Sequence, residues 1–387
     1  MRLIPSPVTA ILASCLFLTG LAAAAITPYR AIVGVETLGL SNFQFALIVG
    51  LGGVGTAIAS FVLGTISDRA ADRRRLVLLC AAVGCLGYAM VWFVPSAVCF
   101  ALAFGIVIPF GSAITSQNFS YARSYYNATD PGRAAFMMSV LRSLFSLAWV
   151  IVPPLAGWVA MRGTPIDTFL IAVLALLGFL AMFAVLYLIP GTGIAPQRSA
   201  APQPFRIAPE RRWGLAGVTL IRCAIFIHLT TLPLTLRADF GGSLADVGLN
   251  AGVAAALEVP LMVMWGYAAR RWSNETLISL NGAIFALYLG AIPFAGSVQG
   301  VLLLQGLNAL ATAALLSLTI AYMQDLVAGR VGTSTALLDT VTVVATLTTS
   351  AVFALLATKE SYLAIFPVGA GMSLLGAGLI WGKGRQR

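Results

Sequence analysis

Gly64-Thr65-Ile66-Ser67-Asp68-Arg69-Ala70-Ala71-Asp72-Arg73-Arg74-Arg75 is a short, densely charged stretch between two apolar runs, each long enough to span a bilayer. A weaker copy follows 202 positions later: laying Ser41 on Ser243 brings Gly50 onto Gly252, Gly64 onto Gly266 and Arg69 onto Arg271 without a gap. The copy lacks the acid, because Arg270 stands opposite Asp68. A membrane hairpin repeated at half the chain's length predicts two fused helical bundles, a construction common among transporters.

Composition agrees. Hydrophobic residues make up 59% of the 387 and charged residues 9%, against roughly 25% charged in a soluble domain. Apolar spans fit at about 7–29, 41–65, 76–94, 97–121, 134–160 and 168–190, and again at about 213–236, 244–269, 276–295, 298–322, 332–357 and 362–382. The expectation is an all-α integral membrane protein with twelve transmembrane helices in two pseudo-symmetric six-helix bundles, residues 1–190 and 213–387, joined by a cytoplasmic linker at 191–212. Pro, Gly and Ala dominate that linker, which predicts a flexible or extended segment. The first run has Arg2 before it and small residues within it, as a signal peptide would, but it continues to Pro28 and Tyr29 and reads as a retained helix.

The net charge of +10 reads as topology and not as nucleic-acid binding. With both termini in the cytoplasm, seventeen of the 23 Lys and Arg residues fall on that side and four (Arg30, Arg162, Arg237, Lys359) on the other. Cys15, Cys80, Cys85, Cys99 and Cys223 lie in or at the ends of spans without metal or redox spacing, and the single histidine, His228, gives no histidine-ligated metal site. There is no nucleophile–base constellation, phosphate loop or nucleotide site, so an enzyme and a directly ATP-driven pump are both excluded. No cofactor is expected.

The Gly64…Asp68-Arg69…Arg73-Arg74 pattern resembles the signature between the second and third helices of the major facilitator superfamily, with Ala71 where a second Gly is usual. Met138 to Val150, continuing through Pro153-Pro154-Leu155-Ala156-Gly157, and Ala256-Leu257-Glu258-Val259-Pro260-Leu261-Met262 are similar to the bacterial sugar efflux transporters of that superfamily. The resemblance implies a monomeric transporter of the bacterial inner membrane that exports sugars, glycosides or related small polar solutes against proton flow, by alternating access around a cavity near the bilayer midplane. It also implies that Gly64, Asp68, Arg69 and Arg73 belong to a cytoplasmic gate, with Asp68 as its latch and Arg73–Arg75 mainly fixing topology beside anionic lipid. A multidrug/proton antiporter is the alternative, opposed by the absence of an Arg inside span 4 and of a Gly-Pro-x-x-Gly-Gly run in span 5. A membrane sensor or scaffold is a third, opposed by the lack of a soluble signalling domain.

Four charged residues lie well inside spans: Arg142, Arg222, Glu258 and Asp339. Each would cost at least about 2.5–3.5 kcal/mol facing lipid at mid-depth, so each is expected to face a cavity or a partner. Glu258, with Asn250 eight residues earlier on the same face, is the leading candidate for proton exchange or for accepting hydrogen bonds from sugar hydroxyls. An ion pair with an arginine is its structural alternative. Arg142, Ser146 and Trp149 share one face of span 5, offering donors and an apolar plate for a sugar ring. Asp339 sits at the equivalent depth of span 11. Gln117 in span 4 and Gln305, Asn308 and Thr312 in span 10 are neutral groups suited to hydroxyl recognition. His228 reads as a packing residue.

Overall fold

The computed structural model describes residues 6–69, 72–194, 209–327, 331–358 and 360–384. Among these residues there are twelve helices long and apolar enough to cross a membrane, and no strand. The chain divides into two compact units, Met1–Gly39 with Leu51–Ser199 and Leu40–Gly50 with Ala200–Arg387. The first six helices are α1 (Pro7–Ile26), α2 (Asn42–Arg69), α3 (Arg73–Phe93), α4 (Ala97–Thr129), α5 (Pro131–Arg162) and α6 (Asp167–Leu188). The second six are α7 (Pro209–Ala238), α8 (Leu244–Ala268), α9 (Asn274–Phe294), α10 (Val298–Leu326), α11 (Val331–Leu356) and α12 (Ile365–Gly384). The division between units falls within α2, after Gly50.

Helix starts follow local chemistry. Ser6, Asp72, Ser96, Ser273 and Ser297 cap their helices by accepting a backbone N–H of the first turn. Pro131 opens α5, where its missing donor costs nothing. Hydropathy misplaced some ends. Residues 122–129 are mostly polar, yet α4 runs through them to Thr129, with Ser124 accepting from Arg73 and Tyr126 donating to Thr9 within the unit. Chain beyond α1 also stays helical, through Arg30–Ile32 and a π-turn at Val33–Thr37. Arg30, expected in an external loop, is thereby carried half-buried among the helices. Pro153 and Pro154 lie inside α5, and the Pro153 carbonyl accepts the Tyr29 hydroxyl at 2.9 Å.

Backbones approach closely where glycine permits. In the first unit a methyl added at Gly111 of α4 would run into the backbone of Gly84 in α3. In the second, Cβ atoms at Gly217 and Gly376 would meet each other's carbonyl oxygens at 2.7 and 2.6 Å, so α7 and α12 touch main chain to main chain. All five cysteines are free thiols.

Candidate functional site

In the second unit, polar residues from four helices form one hydrogen-bonded array. It starts at the head of α8, where Ser243 and Asp246 make a reciprocal capping box at 3.2 and 2.7 Å. The Asp246 carbonyl accepts Asn250 Nδ2 at 3.1 Å. Asn250 Oδ1 accepts Gln305 Nε2 of α10 at 3.3 Å, and the same nitrogen lies 3.3 Å from the Tyr288 hydroxyl of α9. Tyr288 in turn lies 3.3 Å from His228 Nδ1 of α7. Gln305 Oε1 accepts Asn308 Nδ2 at 2.7 Å. One turn further along α10, the Thr312 hydroxyl lies 2.6 Å from Glu258 Oε1 and 2.8 Å from the Asn308 carbonyl, so its single proton serves one of them at a time. Trp265 Nε1 donates to the Leu310 carbonyl at 2.8 Å, tying α8 to α10 beside this point.

Spacing explains the convergence. Gln305, Asn308 and Thr312 share one face of α10, and Asn250 and Glu258 share one face of α8. Asn250, Gln305 and Asn308 are buried, whereas Glu258 is half-buried. Glu258 is the charged member among Asn250, Gln305, Asn308 and Thr312, with no basic side chain of the second unit in salt-bridge range among the described residues. Arg222, the candidate cation of that unit, stacks instead over the Phe226 ring at 5.3 Å. Asp339 is exposed on α11, and Thr342 and Thr346 return their hydroxyls to their own helix at 2.9 Å. Tyr288 carries no signal in the sequence, whereas His228, read there as a packing residue, is buried edge-to-face with Phe285 and Tyr288 and has Nδ1 3.3 Å from the Tyr288 hydroxyl. Their 60-residue separation hid a contact that only the packing of α7 against α9 produces.

In the first unit Arg142 is exposed on α5, with Ser146 and Trp149 half-buried one and two turns on. Gln117 is half-buried on α4. Its neighbour Asn118 is fully buried and donates to Thr19 Oγ1 of α1 at 3.4 Å. A cavity of about 90 Å³ lies next to this contact, lined by Thr19, Tyr88, Ser112 and Thr115 among others.

The signature stretch is partly inside the described region. Gly64 is helical, and a Cβ there would meet nothing within 4 Å. The side chains of Asp68 and Arg69 lie outside the described residues. The lipid-facing role expected of the arginines fails at Arg73 and Arg74, which turn into the bundle. Arg73 is buried and donates to Ser120 and Ser124 of α4. Arg74 makes a forked pair with Asp72 at 2.8 and 2.9 Å, donates to the Leu186 carbonyl and to Thr192 Oγ1 at 3.0 and 2.9 Å, and lies over the Tyr187 ring. Tyr121 completes the clamp by donating to the Thr192 carbonyl at 2.7 Å. The linker expected to be free from residue 191 is therefore fixed at Thr192; its residues 195–208 lie outside the described region.

Burial pushes the Asp72 carboxyl up, but hydrogen bonds from Arg74 and the Arg74 and Arg75 charges outweigh it and hold it below the usual carboxylate range. A depressed folded value stabilises the protein above the unfolded Asp value of about 3.9. That stabilisation disappears as pH falls through the folded value. Arg74→Ala is expected to cost about 3 kcal/mol, since it strands Asp72 and releases Thr192. Thermal unfolding in detergent from pH 7 to pH 3 measures both: wild type should lose stability in the acid range, and the variant should be flatter there. Equal curves would mean that Asp72 and Arg74 are not coupled.

Twelve apolar helices in two units, with buried polar groups gathered inside a helix bundle, define a polytopic membrane transporter and not an enzyme. The Major Facilitator Superfamily profile matches residues 12–234 and 214–386, and the chain belongs to that superfamily. It is 32% identical to sugar efflux transporter A of Dickeya chrysanthemi, over 94% of this chain and 93% of that protein. It is 28% identical to sugar efflux transporter C of Escherichia coli strain K12, over 92% and 91%. The fold matches a bacterial homologue of the iron transporter ferroportin with a TM-score of 0.79 at 18% identity, over the whole of both chains. The protein is a multi-pass transporter of the inner membrane.

Proposed function

We propose that this transporter exports sugars or closely related polar solutes in exchange for protons, by alternating access, with Glu258 exchanging the proton or taking the substrate hydroxyl. The observation that carries the reading is the Glu258–Thr312 hydrogen bond, set beside the buried amides of Asn308, Gln305 and Asn250. A carboxylate in neutral amide and hydroxyl surroundings suits a neutral polyhydroxylated solute, because the carboxylate and the amide oxygens accept hydrogen bonds from hydroxyls while the amide N–H groups donate to hydroxyl oxygens. The two sugar efflux relatives support the same substrate class. In this reading Arg142, Ser146 and Trp149 supply donors and a stacking plate from the first unit, Arg222 and Asp339 contribute charge, and Gln117 contributes an amide. Asp68, with Gly64 and Arg69, acts at a cytoplasmic gate, both termini are cytoplasmic, and the monomer works without a cofactor.

Counterflow in proteoliposomes tests the reading. Labelled D-glucose, D-galactose and their methyl glycosides, with a cationic dye as the competing class, are measured with and without a pH gradient. Sugar exchange stimulated by the gradient is the expected result. Dye flux without sugar flux would replace sugar export with drug/proton antiport.

A further inference from the structure

Asn308 Oδ1 is buried and has no hydrogen-bond partner among the described residues, although the Nδ2 of the same amide is engaged. The reason lies two helices away. A backbone carbonyl can only accept, so the Asn250 amide turns its NH₂ end to the Asp246 carbonyl. Asn250 must then present Oδ1 to Gln305, which draws the NH₂ end of Gln305 to that side. Gln305 is left with Oε1 toward Asn308 and so demands a donor there. Asn308 meets the demand with its NH₂, and its oxygen is the end left over. The second N–H of Gln305 reaches Tyr288, whose hydroxyl lies 3.3 Å from His228 Nδ1. One main-chain carbonyl thus sets the polarity of the whole array, and no amide in it can flip alone without placing like against like.

We infer that Asn308 Oδ1 and the Glu258 carboxylate, brought to neighbouring positions by the Thr312 hydroxyl between Glu258 Oε1 and the Asn308 main-chain carbonyl, form an acceptor subsite that selects substrate hydroxyls acting as hydrogen-bond donors. A buried acceptor without a partner penalises the folded protein until something donates to it. A site completed by a ligand's O–H rejects analogues that lack the hydrogen, since its own polar atom is then left stranded. Tyr288 and His228 are positioning residues here: they hold the Gln305 amide in the orientation that leaves the Asn308 oxygen without a partner.

The inference rests on the sugar reading, and the experiment separates the two. Purified full-length protein in proteoliposomes is assayed for competition by the monodeoxy and monodeoxyfluoro analogues of whichever of D-glucose and D-galactose it carries. Fluorine accepts but cannot donate. At one ring position both analogues should therefore compete at least tenfold worse than the parent. In Asn308→Leu and, independently, Asn308→Ala, the parent and those analogues should compete within about twofold of each other. Fluoro analogues that compete as well as the parent at every position would overturn the inference on wild-type protein alone. Discrimination that survives in both variants would also overturn it, assigning Asn308 Oδ1 to a structural water. If wild type carries neither sugar, the substrate reading itself fails and takes the subsite with it.

Discussion

Glu258→Gln should abolish pH-driven accumulation of sugar while leaving counterflow at equal pH largely intact. Glutamine keeps the length and the acceptor oxygen that faces Thr312 at 2.6 Å in the native protein, so the array stays assembled. What it loses is the exchangeable proton. A gradient of one pH unit offers about 1.4 kcal/mol per proton, enough for about a tenfold solute gradient. Wild type should approach that ratio and the variant should stop at equilibration, read as internal over external label at steady state. A variant that still concentrates sugar would move coupling to another group, with Asp339 the next to test. A variant that loses counterflow too would mean that substrate binding needs the charge of Glu258 and not only an acceptor oxygen at that place.

Gly111→Ala should be among the most damaging single-methyl changes in the first unit, at about 3 kcal/mol, whereas Gly84→Ala should cost less than about 1 kcal/mol. The two glycines face each other, but the geometry is asymmetric. A methyl on Gly111 would run into the Gly84 backbone, and α3 and α4 would have to part to admit it. A methyl on Gly84 would meet the end of the Leu176 side chain at 3.3 Å and Gly111 Cα at 3.4 Å, and the leucine can yield. Apparent melting temperatures of the two purified variants decide the matter. Equal losses would mean that the close approach does not set the stability of this pair.

Much of the second unit's array was legible because it lies on helical faces. Asn250 and Glu258 on one helix, and Gln305, Asn308 and Thr312 on another, stand out in the sequence because polar residues in an apolar span need an explanation. The chain could not reveal that the two faces meet, nor that Asn250 reaches across to Gln305. Tyr288 gave no signal, because an aromatic residue in a membrane helix needs no partner to be there. Arg73 and Arg74 misled for the opposite reason. Basic residues at a helix end satisfy the charge rule for topology whether they face lipid or protein, and only Ser120, Ser124 and Thr192 decide which.

By itself the sequence determined the twelve spans, their grouping into two related halves and the superfamily. Hydrocarbon thickness and the cost of unpaired backbone allow few alternatives for a chain so apolar. Helix ends, the inward turn of Arg73 and Arg74 and the orientation of the amides around Asn308 were decided by tertiary structure. A side chain's period along its own helix is local, but the donor or acceptor it must face belongs to another helix, and no pattern within one span encodes it.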